Sequence, residues 1–223
     1  MGKRLIMINI TNEDNMLLMA RYPDNYFDLA IVDPPYGLGE RLVKGGAKGG
    51  MGSMQNLADK KVATWDNKIP PKEYFLELKR VSKNQIIWGG NYFLDFLGAT
   101  DGFVVWNKMN GTNPMADCEL AWQNVKGTTR MFNWHHFSGE KSIKIHPTQK
   151  PTKLYEWLLS NYAKPNQKIL DTHLGSGSIA IAIDNLNKIE KMNLTLTACE
   201  LDTDYFKAAM KRIEQQTAQQ TIF

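Results

Sequence analysis

Residues 27–37 read Phe27-Asp28-Leu29-Ala30-Ile31-Val32-Asp33-Pro34-Pro35-Tyr36-Gly37, and their reading decides the fold. The apolar run to Val32 has the length and branched composition of a buried strand. The prolines end it, because Pro lacks a backbone N–H and forces the residue before it into extended geometry. One carboxylate, an amide-poor turn and one aromatic ring therefore stand just past a strand's C-terminal end. In open α/β sheets ligands bind at that edge. A short acceptor beside a flat ring suits the grip of a planar ring that carries an amino group.

Further strands are expected at Leu5–Ile10, Gln85–Trp88, Phe103–Trp106, Cys118–Trp122, Lys168–Leu170 and from Leu194 to Glu200. Helices are expected after Asn12, after Pro70-Pro71 with Tyr74, Leu78 and Val81 on one face, after Pro151, after Gly177, and after the cap Asp202. Strands and helices alternate in the second half, which implies a parallel sheet covered on both faces. Seven glycines lie between Gly37 and Gly52. Glycine is costly to order, so residues 38–66 are expected to form a mobile loop beside the site. Residues 123–145 lack clean periodicity.

The 223 residues suffice for one α/β domain, and 43% hydrophobic with 22% charged residues is ordinary for a globular protein. No apolar run approaches a membrane span, and the N-terminal apolar stretch is too short for a signal peptide. The lone thiols Cys118 and Cys199 suit a reducing cytosol and argue against a disulfide framework. Net charge is +4, unevenly spread. Residues 38–61 hold five basic against two acidic side chains, and residues 124–153 hold six against one. Basic charge in loop-like segments is what a phosphate backbone selects, although two solvated Lys-rich loops would look the same. His135, His136 and Glu140 do not share a face in an irregular segment, and no metal site is expected.

The second chemical motif follows Lys168–Leu170. It reads Asp171-Thr172-His173-Leu174-Gly175-Ser176-Gly177-Ser178-Ile179-Ala180, a strand, a glycine turn and a helix start. Missing Cβ atoms let a ligand approach the backbone, and helix N–H groups point at it. Glu200, ending the next strand, can accept from ribose hydroxyls. Read alone, this pattern is shared with nicotinamide dinucleotide enzymes.

Together with His146-Pro147-Thr148-Gln149-Lys150-Pro151, these stretches resemble motifs IV, X and I of the amino-group DNA methyltransferases, in the permuted order of their β class. The resemblance spans about residues 9–210. It implies a Rossmann-like methyltransferase fold, a mostly parallel seven-stranded sheet with one antiparallel strand, and S-adenosylmethionine as cofactor. It implies a single methyltransferase domain over 1–223, with 123–145 as a small target-recognition segment. Asp33, Pro34, Pro35 and Tyr36 fall on the catalytic motif. Asp171, Gly175 and Gly177 fall on the methionine-binding positions, Glu200 on the ribose position, and Asp14 on the adenine position. His146, Thr148 and Lys150 are implied at the methionine end, and Ser176, Ser178 and Leu201 flank the same two segments. Thr172-His173 replaces the usual Pro-Phe, so His173 is a flat ring of altered chemistry. Asp33 also belongs to the cofactor surroundings.

The implied substrate is double-stranded DNA, with the target base flipped out. Trp65, Trp134 and Phe137 are candidates to line that opening. Asp at the first motif IV position leans toward adenine. The cytosine amine, an RNA substrate and a catalytically silent DNA-binding protein remain alternatives, and monomer and homodimer both stay open. A cytoplasmic restriction-modification or solitary modification enzyme is the implied setting.

Overall fold

In the computed structural model, β2 (Leu29–Val32) lies at the centre of the sheet, between β7 (Lys168–Asp171) and β3 (Gln85–Trp88), parallel to both. All four of its residues are buried. The structure describes residues 7–38, 66, 68–111, 116–125, 127–135, 145–146 and 148–218. The other strands are β1 (Ile8–Asn12), β4 (Phe103–Asn107), β5 (Cys118–Gln123), β6 (Arg130–Asn133) and β8 (Thr195–Glu200). The sheet order is β1-β8-β7-β2-β3-β5-β4-β6. Among the described residues only β5 runs against its neighbours, pairing antiparallel with both β3 and β4.

Helices cover both faces. One face carries α1 (Asn15–Met19), α2 (Lys72–Val81) and α3 (Leu94–Leu97), and the other carries α4 (Thr152–Tyr162), α5 (Ser178–Ile189) and α6 (Thr203–Ala218). Alternation along the strands feeds the two cores. Leu29 and Ile31 of β2 join Ile86, Trp88 and Ile169 on the α4–α5 side, whereas Ala30 and Val32 join Ile87 and Leu170 on the α2 side. This is the period-2 pattern of a sheet buried on both faces. Helix α2 buries Tyr74, Phe75, Leu78 and Val81. Truncating a buried Leu such as Leu78 costs about 2–5 kcal/mol.

The sheet has eight strands among the described residues, one more than the seven expected. The added strand is β6, inside the stretch expected to be irregular. It pairs parallel with the edge of β4, Phe132 opposite Trp106. Its exposed Arg130 and Met131 give no buried alternation, which is why periodicity missed it. Leu5 and Ile6 and nearly all of the expected 38–66 loop lie outside the described residues, as do Trp65 and Phe137.

The order of the sheet fixes the position of the site. From β7 the chain continues outward to β8 on one side, and from β2 to β3 on the other. The crevice above the C-terminal ends of β2 and β7 is therefore the topological switch point, where open α/β sheets bind ligands.

Candidate active site

A cavity of about 580 Å³ opens at that crevice. From the first motif it is lined by Asp33 and Pro35, and from the glycine turn by His173, Gly175, Ser176 and Ser178. His146, Thr148 and Lys150 line it from a third segment, Asp14 from the start of α1, and Glu200 and Leu201 from the end of β8. Four expected residues stand back from its wall. Pro34 and Tyr36 lie beside it, Asp171 lies beneath the turn, and Gly177 opens α5.

The turn after β7 is built from left-handed glycines. Gly175 has φ 54° and Gly177 φ 75°, a region that side chains make costly. At Gly177 a Cβ would stand 2.8 Å from Ile213 of α6, so this glycine serves close packing. Gly175 N–H donates to Glu200 Oε2 at 2.9 Å, and Asp202 N–H donates to Oε1 at 3.0 Å. Ser178 Oγ donates to the carbonyl of Lys150 at 2.8 Å, and Arg212 donates to the Ser176 carbonyl at 2.8 Å. The two serines thus bolt the turn to its neighbours. Asp14 Oδ1 caps α1 by accepting from Met16 and Leu17 N–H.

Beneath the turn, Asp171 accepts from His173 N–H at 3.0 Å. Burial pushes its carboxyl up to about 8, and the nearby charges of Asp33 and Glu200 add to the rise. His173 is held neutral, its pKa lowered by burial to about 3. Asn15 Nδ2 lies 3.1 Å from its Nε2, and Thr172 Oγ1 lies 3.0 Å from its Nδ1. An Asn amide donating to Nε2 places the ring proton on Nδ1.

On the other side of the cavity, Asp33 is doubly bound. Tyr36 OH donates to Oδ1 at 2.6 Å and Lys150 Nζ donates to Oδ2 at 2.5 Å. Burial raises the Asp33 pKa against the opposing pull of Lys150. Burial alone would depress Lys150, but Asp33 and Glu119 more than offset it, so the ammonium stays charged. Lys150 is 3% exposed. Its charge therefore faces Asp33 rather than a phosphate backbone, a correction to its count among the loop charges. Lys153, counted there too, pairs with Glu156 at 2.6 Å.

The Tyr36 ring stacks on Tyr92, with centroids 5.2 Å apart and planes at 21°. Gly89, with φ 67°, admits that ring: a Cβ there would stand 2.2 Å from Tyr36 Cε1. The doublet Gly89-Gly90 at the end of β3 was the available signal for this contact, and Tyr92 was not singled out from sequence. Trp134 follows β6 and does not line this cavity. Its ring stacks on Phe132, which packs on Trp157 of α4. Glu119 and Lys108 were also missed. Glu119 Oε1 pairs with Lys108 at 2.7 Å, and its Oε2 lies 3.2 Å from Lys150.

The residues present fit S-adenosylmethionine. A glycine turn and half-buried carboxylates at Glu200 and Asp14 line a cavity of ligand size, with the buried Asp171 carboxyl beneath the turn. They suit a ligand with cationic sulfur and nitrogen and a ribose diol.

The family model N6_N4_Mtase, described as DNA methylase, matches residues 105–211. The type II methyltransferase M2.LlaDCHI of Lactococcus lactis subsp. cremoris is 22% identical over 251 residues, covering 92% of this chain and 89% of that protein. Among solved structures, the complex of M1.HpyAVI with S-adenosylmethionine superposes with a TM-score of 0.60 at 21% identity, covering 93% of this chain and 99% of its own. The cytosine-N4-specific PvuII DNA methyltransferase superposes with a TM-score of 0.57 at 13% identity, covering 95% and 92%. Residues 105–211 thus match a DNA methylase family model, nearly the whole chain is similar to a type II DNA methyltransferase, and the fold is that of S-adenosylmethionine-dependent methyltransferases.

Proposed function

We propose that the protein methylates the exocyclic amine of adenine in double-stranded DNA. The observation that carries this reading is Asp33 at the rim of the cofactor cavity, beside the Tyr36 ring. An exocyclic amine is a poor nucleophile, because its lone pair is delocalised into the ring. Asp33 accepts one of its hydrogens and the Pro34 carbonyl the other, which draws the nitrogen toward tetrahedral geometry. Tyr36 stacks on the flipped base, a contact worth roughly 1–3 kcal/mol. When bound, S-adenosylmethionine supplies an electrophilic methyl on a cationic sulfur, so activation of the methyl needs no metal. Glu200 and Asp14 hold the nucleoside part, and Asp171 with Gly175 holds the methionine part. Asp33 takes the proton that the methylated nitrogen sheds. Positioning and electrostatics carry the rate.

The fold similarity to a cytosine-N4-specific enzyme keeps the cytosine amine as the second reading. The role of residues 123–145 as the recognition segment is part of the same proposal. The test is transfer of labelled methyl groups to plasmid DNA followed by nucleoside analysis. N6-methyladenine is expected. Methylcytosine alone would reverse the base assignment, and unlabelled DNA would overturn the function.

A further inference from the structure

Both oxygens of Asp33 are engaged before any target arrives, by Tyr36 OH at 2.6 Å and by Lys150 Nζ at 2.5 Å. A target amine must share with or displace one of these donors. Tyr36 is tethered three residues away and held by Tyr92 and Phe93. Lys150, on its flexible four-carbon stem, is the partner that can withdraw. A buried ammonium cannot withdraw into apolar surroundings without a counter-charge.

Glu119, on the antiparallel strand β5, offers that counter-charge. Its Oε2 is buried and already lies within ion-pair distance, 3.2 Å, of Lys150 Nζ. Its Oε1 pairs with Lys108 at 2.7 Å. Asp33, Lys150, Glu119 and Lys108 thus form a row of alternating charges with no net charge. Passing the Lys150 hydrogen bond from one carboxylate to the other leaves every buried charge paired. The rings of Tyr36 and Trp88, with centroids 5.8 Å and 5.3 Å from the ammonium, flank its position.

We propose that Glu119 is a positioning residue that receives the Lys150 ammonium when the target amine takes Asp33 Oδ2, which frees Asp33 to accept from the base. The proposal rests on the assignment of Asp33 to the target amine. It separates two jobs of Lys150: guarding an empty carboxylate, and leaving it without cost when a base arrives.

The test is Glu119→Gln in the full chain, which keeps shape and removes charge. Rates of methyl transfer are measured against DNA concentration, and S-adenosylmethionine affinity by calorimetry. The expected kcat/KM for DNA falls roughly 10- to 100-fold while cofactor Kd stays within about twofold. Glu119→Asp restores kcat/KM to within about fivefold, because the charge is kept. In a Lys150→Met background, Glu119→Gln has less than about a twofold further effect, because its partner is gone. Unchanged DNA kinetics, a parallel loss of cofactor affinity, additivity with Lys150→Met, or no rescue by Asp would each overturn the role of Glu119. A wild-type chain that binds cofactor but never methylates DNA would instead overturn the function on which the role rests. If Glu119→Gln fails to fold, the Asp variant carries the test: intact cofactor binding with near-native kcat/KM supports the role, and a loss like that of Lys150→Met overturns it.

Discussion

Replacing Asp171 by Asn should make the cofactor-free protein more stable at alkaline pH and poorer at binding its cofactor. In the unfolded chain this carboxyl titrates near 3.8, and in the folded chain burial raises it to about 8. The folded state therefore holds the proton more tightly than the unfolded state. Its contribution to stability is complete below pH 3.8 and is lost as the pH rises through about 8. At about 1.4 kcal/mol per pK unit, that loss is on the order of 5 kcal/mol. Asn keeps an oxygen to accept from His173 N–H and never ionises, so it escapes the loss. The assay is urea unfolding of both proteins without cofactor, from pH 5 to pH 8.5. The variant's advantage should grow steadily with pH, and its melting temperature at pH 8.5 should be roughly 10–20 °C higher. Its affinity for S-adenosylmethionine should fall if Asp171 answers the cofactor's positive charge as proposed. A stability difference that stays flat with pH, or a variant less stable at pH 8.5, would refute the argument.

Other outcomes test other parts of the site. Asp33→Ala should lower methyl transfer to DNA by at least about 10³-fold with cofactor binding retained in calorimetry; unchanged modification of cellular DNA would remove Asp33 from the chemistry. Gly89→Ala puts a methyl group 2.2 Å from the Tyr36 ring and strains a left-handed residue. It should cost about 2–4 kcal/mol in denaturant unfolding and displace the ring, with activity falling further than cofactor affinity. His173→Phe removes an imidazole whose pKa burial lowers to about 3. Because the folded His resists protonation, the wild type loses stability as pH falls below 6.5, by about 3 kcal/mol at pH 4. The Phe variant should show a flatter profile between pH 6.5 and pH 4 in the same unfolding assay.

The elements that define the cleft were legible because each is written locally. An apolar run stopped by Pro34 marks β2, the glycines after Asp171 mark the turn into α5, and Glu200 follows a strand of alternating burial. The antiparallel strand came from the family resemblance, not from periodicity. What stayed hidden depends on partners far away in the chain. Glu119 on β5 meets Lys150, which no local pattern announces, and Lys108 meets Glu119 across the β4–β5 pair. An edge strand such as β6 needs only backbone partners on one side, so its side chains carry little signal. Lys150 looked like a loop charge until the fold showed its ammonium buried against Asp33.

The pairing of β2 with β7 has a consequence for synthesis. Leu29 meets Ile169, and Ala30 meets Leu170, across most of the chain's length. Closing so long a loop comes late, after local hairpins and helices have formed. A nascent chain that already displays Asp33 and Tyr36 thus has no floor for a methyl donor until the strand before Asp171 has emerged and docked. The half-made enzyme is inert by geometry, and competence arrives at once when the final third slots in beside β2.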